Sequence, residues 1–230
     1  MRINQNFISM LDKLNITAIL KSFSLVSFAN IIKLVISFVC IKLIAIMLGP
    51  SGVALIGQLN NFVAMIMSFS GGGIMTGITK YVAENRDSEE RSKDYISTAF
   101  RITIYFSLTI GLLLVLLHDF ISRKVLLSPD YGPVFILFGS TLFLYALNTM
   151  ILCLLNGYQE LRKYVIVNLS GSSIGLFLTL LLIFPFGLIG AMISIVTTQS
   201  ITFFVSCWMI RNYPWMSWSY FSGKFNKKLD

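Results

Sequence analysis

An apolar stretch from Phe23 to Leu48 is long enough to cross a lipid bilayer, and it contains two lysines. A hydrocarbon core roughly 30 Å thick requires about 20 apolar residues at a helical rise of about 1.5 Å per residue. A lysine ammonium inside such a span costs at least roughly 2.5–3.5 kcal/mol. Lys33 lies near the middle of the stretch and Lys42 nearer its outer end, and no acidic residue falls inside any apolar span of the sequence. The two cations therefore indicate that a negative charge arrives with a bound ligand.

The composition predicts an integral membrane protein. Of the 230 residues, 56% are hydrophobic and only 12% are charged, whereas soluble proteins average about 25% charged residues. The net charge of +8 would suit a nucleic-acid-binding protein if the basic residues formed one patch. They lie instead in short segments between apolar spans, where the positive-inside rule places them.

Glycines, prolines and clusters of charge divide the chain into six predicted membrane-spanning helices. We expect these spans at about 23–48, 53–78, 96–117, 134–155, 164–184 and 188–210, between an N-terminal segment (1–22) and an aromatic, basic tail (211–230). Gly49-Pro50-Ser51-Gly52 and Pro185-Phe186-Gly187 have the composition of tight turns. The second span is expected to continue as a helix to Ala83, and a charged loop, Glu84–Asp94, to follow it.

The basic residues predict the orientation of these spans. One side of the membrane holds only Arg123 and Lys124. The other side holds the remaining basic residues outside the first span, which are Arg2, Lys13, Lys21, Lys80, Arg86, Arg91, Lys93, Arg101, Arg162, Lys163, Arg211, Lys224, Lys227 and Lys228. The positive-inside rule then puts both termini in the cytoplasm. An even number of spans would let a second six-span unit follow in the same orientation, as in parallel transporter repeats.

Several polar groups inside the predicted spans are candidates for a site. Nine residues at about 100° each place Lys33 and Lys42 on nearly opposite faces of a straight helix. The sequence leaves open whether Lys33 binds a ligand or pairs with backbone carbonyls. The second span carries Gln58, Asn60 and Asn61, and amides in lipid need partners, so this face is expected to meet other helices or a wet interior.

The remaining intramembrane polar groups are single residues. Arg101 lies about a turn and a half into the third span, where it either snorkels back to the cytoplasmic surface or guards an inward-facing opening. The amides of Asn148, Asn156, Asn168 and Gln199 are predicted to form interhelical hydrogen bonds.

Nothing in the sequence points to catalysis. No constellation resembles a hydrolase triad, a metal cluster or a phosphate-binding glycine loop. The cysteines lie in apolar spans at unrelated spacings, too far apart for a metal site or a disulfide framework; they are Cys40, Cys153 and Cys207. We therefore expect neither an enzyme nor a cofactor nor a bound metal.

Motifs at the predicted turns carry a family resemblance. Lys42–Gly52 is followed by Gly57–Asn61 and then by Gly72–Glu84, with further similarity at Asn156–Gln159 and Gly187–Ala191. These motifs resemble the Wzx-type flippases of the multidrug/oligosaccharidyl-lipid/polysaccharide exporter superfamily. The similarity is to the branch that moves O-antigen or enterobacterial common antigen units on undecaprenyl pyrophosphate. It covers roughly residues 21 to 220.

The resemblance implies an all-α integral membrane protein of the bacterial inner membrane. Its fold would be one lobe of a two-lobed flippase of about twelve spans, with the substrate in a cavity between the lobes. This chain resembles the first lobe alone, so we expect a partner, either a second six-span lobe or a second copy.

The family also implies that cavity cations meet the pyrophosphate and acidic sugars of a lipid-linked glycan. The candidate substrate-binding residues are Lys33, Lys42, Asn61, Lys80 and Arg101. The family's short polar motif after the first turn often carries an arginine, and here Asn60-Asn61 stand in its place. That difference removes one candidate cation from the cavity.

Two other interpretations stay open. A cation-coupled drug exporter of the same superfamily generally needs an intramembrane carboxylate. Every carboxylate of this chain falls in a predicted loop or tail, which argues against it unless a second lobe supplies the group. Alternatively, the chain is a truncated lobe that no longer transports.

Overall fold

The computed structural model describes residues 16–71, 75–85, 89–211 and 213. Every regular element in these ranges is helical. The six α-helices are α1 (Ile16–Ser70), α2 (Met75–Glu84), α3 (Glu89–Leu116), α4 (His118–Val125), α5 (Gly132–Gly157) and α6 (Leu161–Ile210), with a short 3₁₀ helix at Pro129–Tyr131. The predicted all-α fold is confirmed for the described part of the chain.

Four segments of this structure are long and apolar enough to cross a membrane. They are Val26–Ser70, Ser92–Leu116, Pro129–Gly157 and Leu161–Ile210. The chain is therefore a multi-pass membrane protein. Because four segments rather than six separate helices are found, the count of six spans stays a prediction. So does the cytoplasmic position of the termini, since most of segments 1–22 and 211–230 lies outside the described residues.

Helix α1 is interrupted at the first predicted turn. Gly49 has φ 70° and ψ −174°, a backbone region that is essentially limited to glycine. Pro50 follows and has no N–H to continue the helical hydrogen bonds. The break divides α1 into a first arm (16–48) and a second arm (50–70). Lys33 and Val63 lie on different arms yet line one cavity, although a straight helix would separate them by about 45 Å.

Helix α6 folds back on itself at the second predicted turn. Gly187 has φ 55° and ψ −129°, close to the first central residue of a type II′ turn, a position that favours glycine. The side chains of Thr179 and Ser194 form a 2.8 Å hydrogen bond across the break. Fifteen residues of straight helix would hold them about 22 Å apart. The first arm (161–186) and the second arm (188–210) are therefore antiparallel.

The helical continuation of the second span to Ala83 is wrong. Helix α1 ends at Ser70, Gly71 forms a turn, and a separate helix begins at Met75. Three successive glycines occupy positions 71–73, and glycine in a helix interior costs roughly 0.5–1 kcal/mol relative to alanine because it loses most backbone freedom. Residues 72–74 are outside the described part.

Two further boundaries differ from the prediction. Helix α3 begins at Glu89, inside the predicted loop Glu84–Asp94, because polar residues extend a helix beyond the membrane as readily as they form a loop. The predicted link between the third and fourth spans contains α4, whose first turn carries Asp119 and whose last turn carries Arg123 and Lys124. This distribution of charge complements the helix dipole.

Helix α5 lies at the centre of the packing. Phe135, Phe138 and Leu142 are fully buried in one apolar cluster with residues of α1, α3 and the second arm of α6. The backbone of α5 approaches that of α3 closely, since a Cβ atom at Gly139 would lie 2.5 Å from the carbonyl oxygen of Gly111. Small residues at such crossings are how membrane helices pack without a hydrophobic driving force. Helix α5, packed in this way, forms one wall of the site described below.

Candidate functional site

A cavity of about 370 Å³ lies between both arms of α1, helix α5 and both arms of α6. Lys33 and Ser37 line it from the first arm of α1, Asn60 from the second arm, and Tyr145 from α5. The hairpin α6 supplies the remaining polar lining side chains, which are Asn168, Ser172, Thr179, Ser194, Thr198 and Gln199. The breaks in α1 and α6 thus bring distant segments of sequence into one polar site within apolar helices.

Lys33 carries the only charge among the cavity-lining residues that the structure describes. Its side chain is exposed, and Ile36, Ser37 and Cys40 follow it on the same face of the arm at helical spacing. Near the middle of an apolar span, an ammonium group costs several kcal/mol unless water or an opposite charge compensates it. The cavity therefore has the electrostatics of a site for an anionic group.

The hydroxyl groups on the α6 wall donate their hydrogens to the protein itself. Ser194 donates to the carbonyl oxygen of Ala191 at 2.7 Å, so Thr179 is the donor in its 2.8 Å hydrogen bond with Ser194. Thr198 donates to the carbonyl oxygen of Ser194 at 2.5 Å. Each hydroxyl oxygen retains acceptor capacity. This wall thus offers mainly acceptors, which suit ligands that carry hydroxyl groups.

The structure brings one of the five predicted site residues, Lys33, into this cavity. Lys42 is exposed but is not a lining residue, in agreement with the expected placement of the two lysines on opposite faces. Asn61 is also exposed outside the cavity, and its neighbour Asn60 lines the cavity instead. One residue of helix is a rotation of about 100°, which separates these two adjacent amides.

The other two predicted site residues lie on helices that do not line the cavity. Lys80 is on α2 and forms a 3.9 Å ion pair with Glu84, both side chains being well exposed, so the pair contributes little stability. Arg101 is exposed on α3. A role in substrate binding stays a prediction for all five residues.

Apart from Lys33, none of the described lining residues was a predicted site residue, and Tyr145 and Gln199 show why. Tyr145 gave no signal, because a tyrosine in an apolar span is common. Gln199 was predicted to form an interhelical hydrogen bond, and it does accept one from Asn148 on α5 at 2.7 Å. The same side chain also lines the cavity. The sequence could not predict this position, because the cavity forms only when segments far apart in sequence come together.

A protein family described as polysaccharide biosynthesis protein matches residues 19–229. The chain belongs to this family. The chain is also 27% identical over 134 residues to proteins named lipid III flippase from Escherichia coli K12 and Shigella flexneri. These matches cover 58% of this chain and 32% of each relative, so the chain matches about a third of their length.

Solved structures show the same fold. A multidrug resistance MATE family transporter of the MOP superfamily, in an outward-facing conformation, aligns with a TM-score of 0.70 at 18% identity. A MOP superfamily transporter from Pyrococcus furiosus aligns with a TM-score of 0.69 at 16% identity. Each alignment covers 89% of the chain described here and 48% of the solved chain. The fold of the family member is thus that of about half of a MOP superfamily transporter.

Proposed function

We propose that the chain forms one six-span lobe of a flippase for undecaprenyl-pyrophosphate-linked oligosaccharide units of O-antigen type, located in the bacterial inner membrane. Membership of the polysaccharide biosynthesis family and the partial match to lipid III flippases support this class of substrate. The observation that carries the proposal is that Lys33 is the single cation, and every other group neutral, among the described residues that line the cavity. Such a site suits a ligand with an anionic head and many hydroxyl groups.

The two parts of the ligand would bind to different parts of the cavity. The Lys33 ammonium is a compact point charge that attracts a pyrophosphate strongly once water is displaced. Sugar hydroxyls would donate to the acceptor oxygens of Thr179 and Thr198 on the opposite wall. Charge and hydroxyl recognition together distinguish a lipid-linked glycan from an ordinary phospholipid.

The hairpin shape of α1 and α6 supports six spans. Each arm of α6 is longer than the roughly 20 residues that a bilayer requires, and the hydrogen bond between Thr179 and Ser194 makes the arms antiparallel. The arms of α1 also face one cavity. With α3 and α5 these arms would make six crossings, and the basic residues would then favour cytoplasmic termini.

A second lobe would complete the transporter. Lys33, Asn60 and Asn61 are exposed on this lobe, and lipid around them would leave an ammonium and two amides without partners. The solved MOP transporters have about twice the aligned length. The second lobe would come from further sequence, from a separate polypeptide or from a second copy, and crosslinking in native membranes distinguishes these sources.

A complementation assay tests the function. In a strain lacking its own copy of this chain, plasmid-borne Lys33→Ala should reduce surface polysaccharide severely, while Lys33→Arg should retain part of it because the charge is preserved. Lys124→Ala is the matched control, since Lys124 is exposed on α4 away from the cavity. Normal polymer output from Lys33→Ala at wild-type expression would refute the role of this cation.

The second candidate function is drug export, which the similarity to a multidrug resistance transporter favours. No carboxylate is among the described residues that line the cavity, and a proton or sodium coupled exporter generally uses one. Drug-resistance profiling of the deletion strain separates the two. Greater drug sensitivity with unchanged surface polysaccharide would favour the exporter.

A further inference from the structure

A buried chain of hydrogen bonds leads from the protein interior to the cavity. The hydroxyl of Ser206 donates to the side-chain oxygen of Asn148 at 2.5 Å. The side-chain nitrogen of Asn148 donates to the side-chain oxygen of Gln199 at 2.7 Å. Ser206 and Asn148 are both fully buried, whereas Gln199 lines the cavity. Gln199 and Ser206 lie seven residues apart on α6, two turns of one helix face, so both reach the same asparagine on α5.

The orientation of the Asn148 amide decides which end of the Gln199 amide meets the cavity. The Asn148 oxygen faces Ser206, so the Ser206 hydroxyl is the donor in this contact. The competing acceptor for that hydrogen, the carbonyl oxygen of Thr202, lies farther away at 3.1 Å. In this orientation Asn148 turns its NH₂ group to Gln199. The Gln199 oxygen is occupied by this bond, and its NH₂ group is left for the cavity.

We propose that Gln199 donates its side-chain N–H groups to the anionic head of the ligand and that Asn148 is the positioning residue that holds Gln199 in this orientation. This inference rests on the function proposed above. The neighbouring hydroxyls on the α6 wall present acceptors, so Gln199 is a donor on that wall. Lys33 supplies charge from α1, and Gln199 supplies a directed hydrogen bond from α6. Together they would hold an anion from two sides.

The test is the binding of farnesyl diphosphate to the full-length protein in lipid nanodiscs at pH 8, with farnesol as the neutral comparison. Gln199→Glu retains an acceptor for Asn148 but replaces the cavity NH₂ by oxygen. It is expected to weaken diphosphate binding by about tenfold or more, because a hydrogen bond to a charged group is lost and repulsion is added. Asn148→Ala keeps Gln199 but removes the hydrogen bond that orients its side chain. The expected loss of affinity for the diphosphate is therefore smaller, about threefold to tenfold.

Ser200→Ala is the matched structural control. Ser200 is buried and donates to the carbonyl oxygen of Thr141 at 3.0 Å, so this change also removes a hydrogen bond between α5 and the second arm of α6. It leaves the hydrogen bond between Asn148 and Gln199 in place, and we expect diphosphate affinity within about twofold of the wild type. Equal weakening by Ser200→Ala and Asn148→Ala would mean that Asn148 acts through helix packing alone, which overturns its positioning role.

The outcomes separate the two proposals. If the wild type binds farnesyl diphosphate better than farnesol and Lys33→Ala weakens binding while Gln199→Glu does not, the anion site stands and the role of Gln199 is refuted. If the wild type shows no preference for the diphosphate, both proposals fail. The inference is supported if Gln199→Glu loses more affinity for the diphosphate than Asn148→Ala does and Ser200→Ala keeps the wild-type affinity.

Discussion

The hairpin form of α6 predicts a specific disulfide. A Cβ atom built at Gly171 lies 3.9 Å from the Cβ atom of Thr202, close to the mean of about 3.8 Å found in disulfides. In an uninterrupted helix the same positions would be about 46 Å apart. The double variant Gly171→Cys/Thr202→Cys, made after replacing the native cysteines by alanine, should therefore form an intramolecular bond on oxidation.

A thiol-reactive polyethylene glycol maleimide reports the result as a gel shift. Membranes oxidised with copper phenanthroline should yield a protein that resists labelling until it is reduced, and that migrates as a monomer without reductant. Gly171→Cys/Phe204→Cys is the control, because Phe204 is exposed and two helix positions turn it about 200° from Thr202. Complete labelling of the first pair after oxidation, equal to that of the control, would refute the antiparallel arms.

Three further outcomes follow from the packing and the site. Gly139→Ala should destabilise the protein by about 1–3 kcal/mol, because the new Cβ atom would lie 2.5 Å from a backbone oxygen of α3. Gly57→Ala is the control and should be neutral or stabilising, because a Cβ atom there meets no atom within 4 Å. Thermal unfolding in detergent measures the stability of both variants. Gly187→Ala should cost about 1–3 kcal/mol of backbone strain in the same assay, since φ is 55° there and the space around it is open. Lys42→Ala should reduce surface polysaccharide less than Lys33→Ala, because only Lys33 lines the cavity.

The sequence predicted the helical class and the two sharpest turns for physical reasons that are local. Gly49-Pro50 and Pro185-Phe186-Gly187 combine a residue that cannot continue a helix with one that tolerates positive φ, and the structure breaks at Gly49 and Gly187. The end of α1 at Ser70 was missed because apolar residues continue on both sides of the glycines. Hydropathy reports burial in lipid and does not report where the backbone changes direction.

The site was predictable only in part. Lys33 stood out because a charge in an apolar span is costly wherever it points. Asn60 and Asn61 could not be separated, since the rotation of the second arm of α1 about its axis depends on packing against α5 and α6. Gln199 and Tyr145 required the folded hairpin, because their exposure to the cavity arises from contacts between segments far apart in sequence.

The distribution of donors and acceptors argues for a ligand that is both anionic and rich in hydroxyl groups. A neutral drug would leave the Lys33 ammonium without a counter-charge in a partly dehydrated cavity, at a cost of several kcal/mol. An inorganic anion would satisfy Lys33 but leave the acceptor oxygens of Thr179 and Thr198 without donors, which is also unfavourable when water is displaced. A pyrophosphate joined to sugars satisfies both groups in one molecule. The selectivity of the cavity would then arise from the free-energy cost of leaving the Lys33 ammonium without an anion or the hydroxyl oxygens of α6 without donors. It would not require tight contact with any particular sugar.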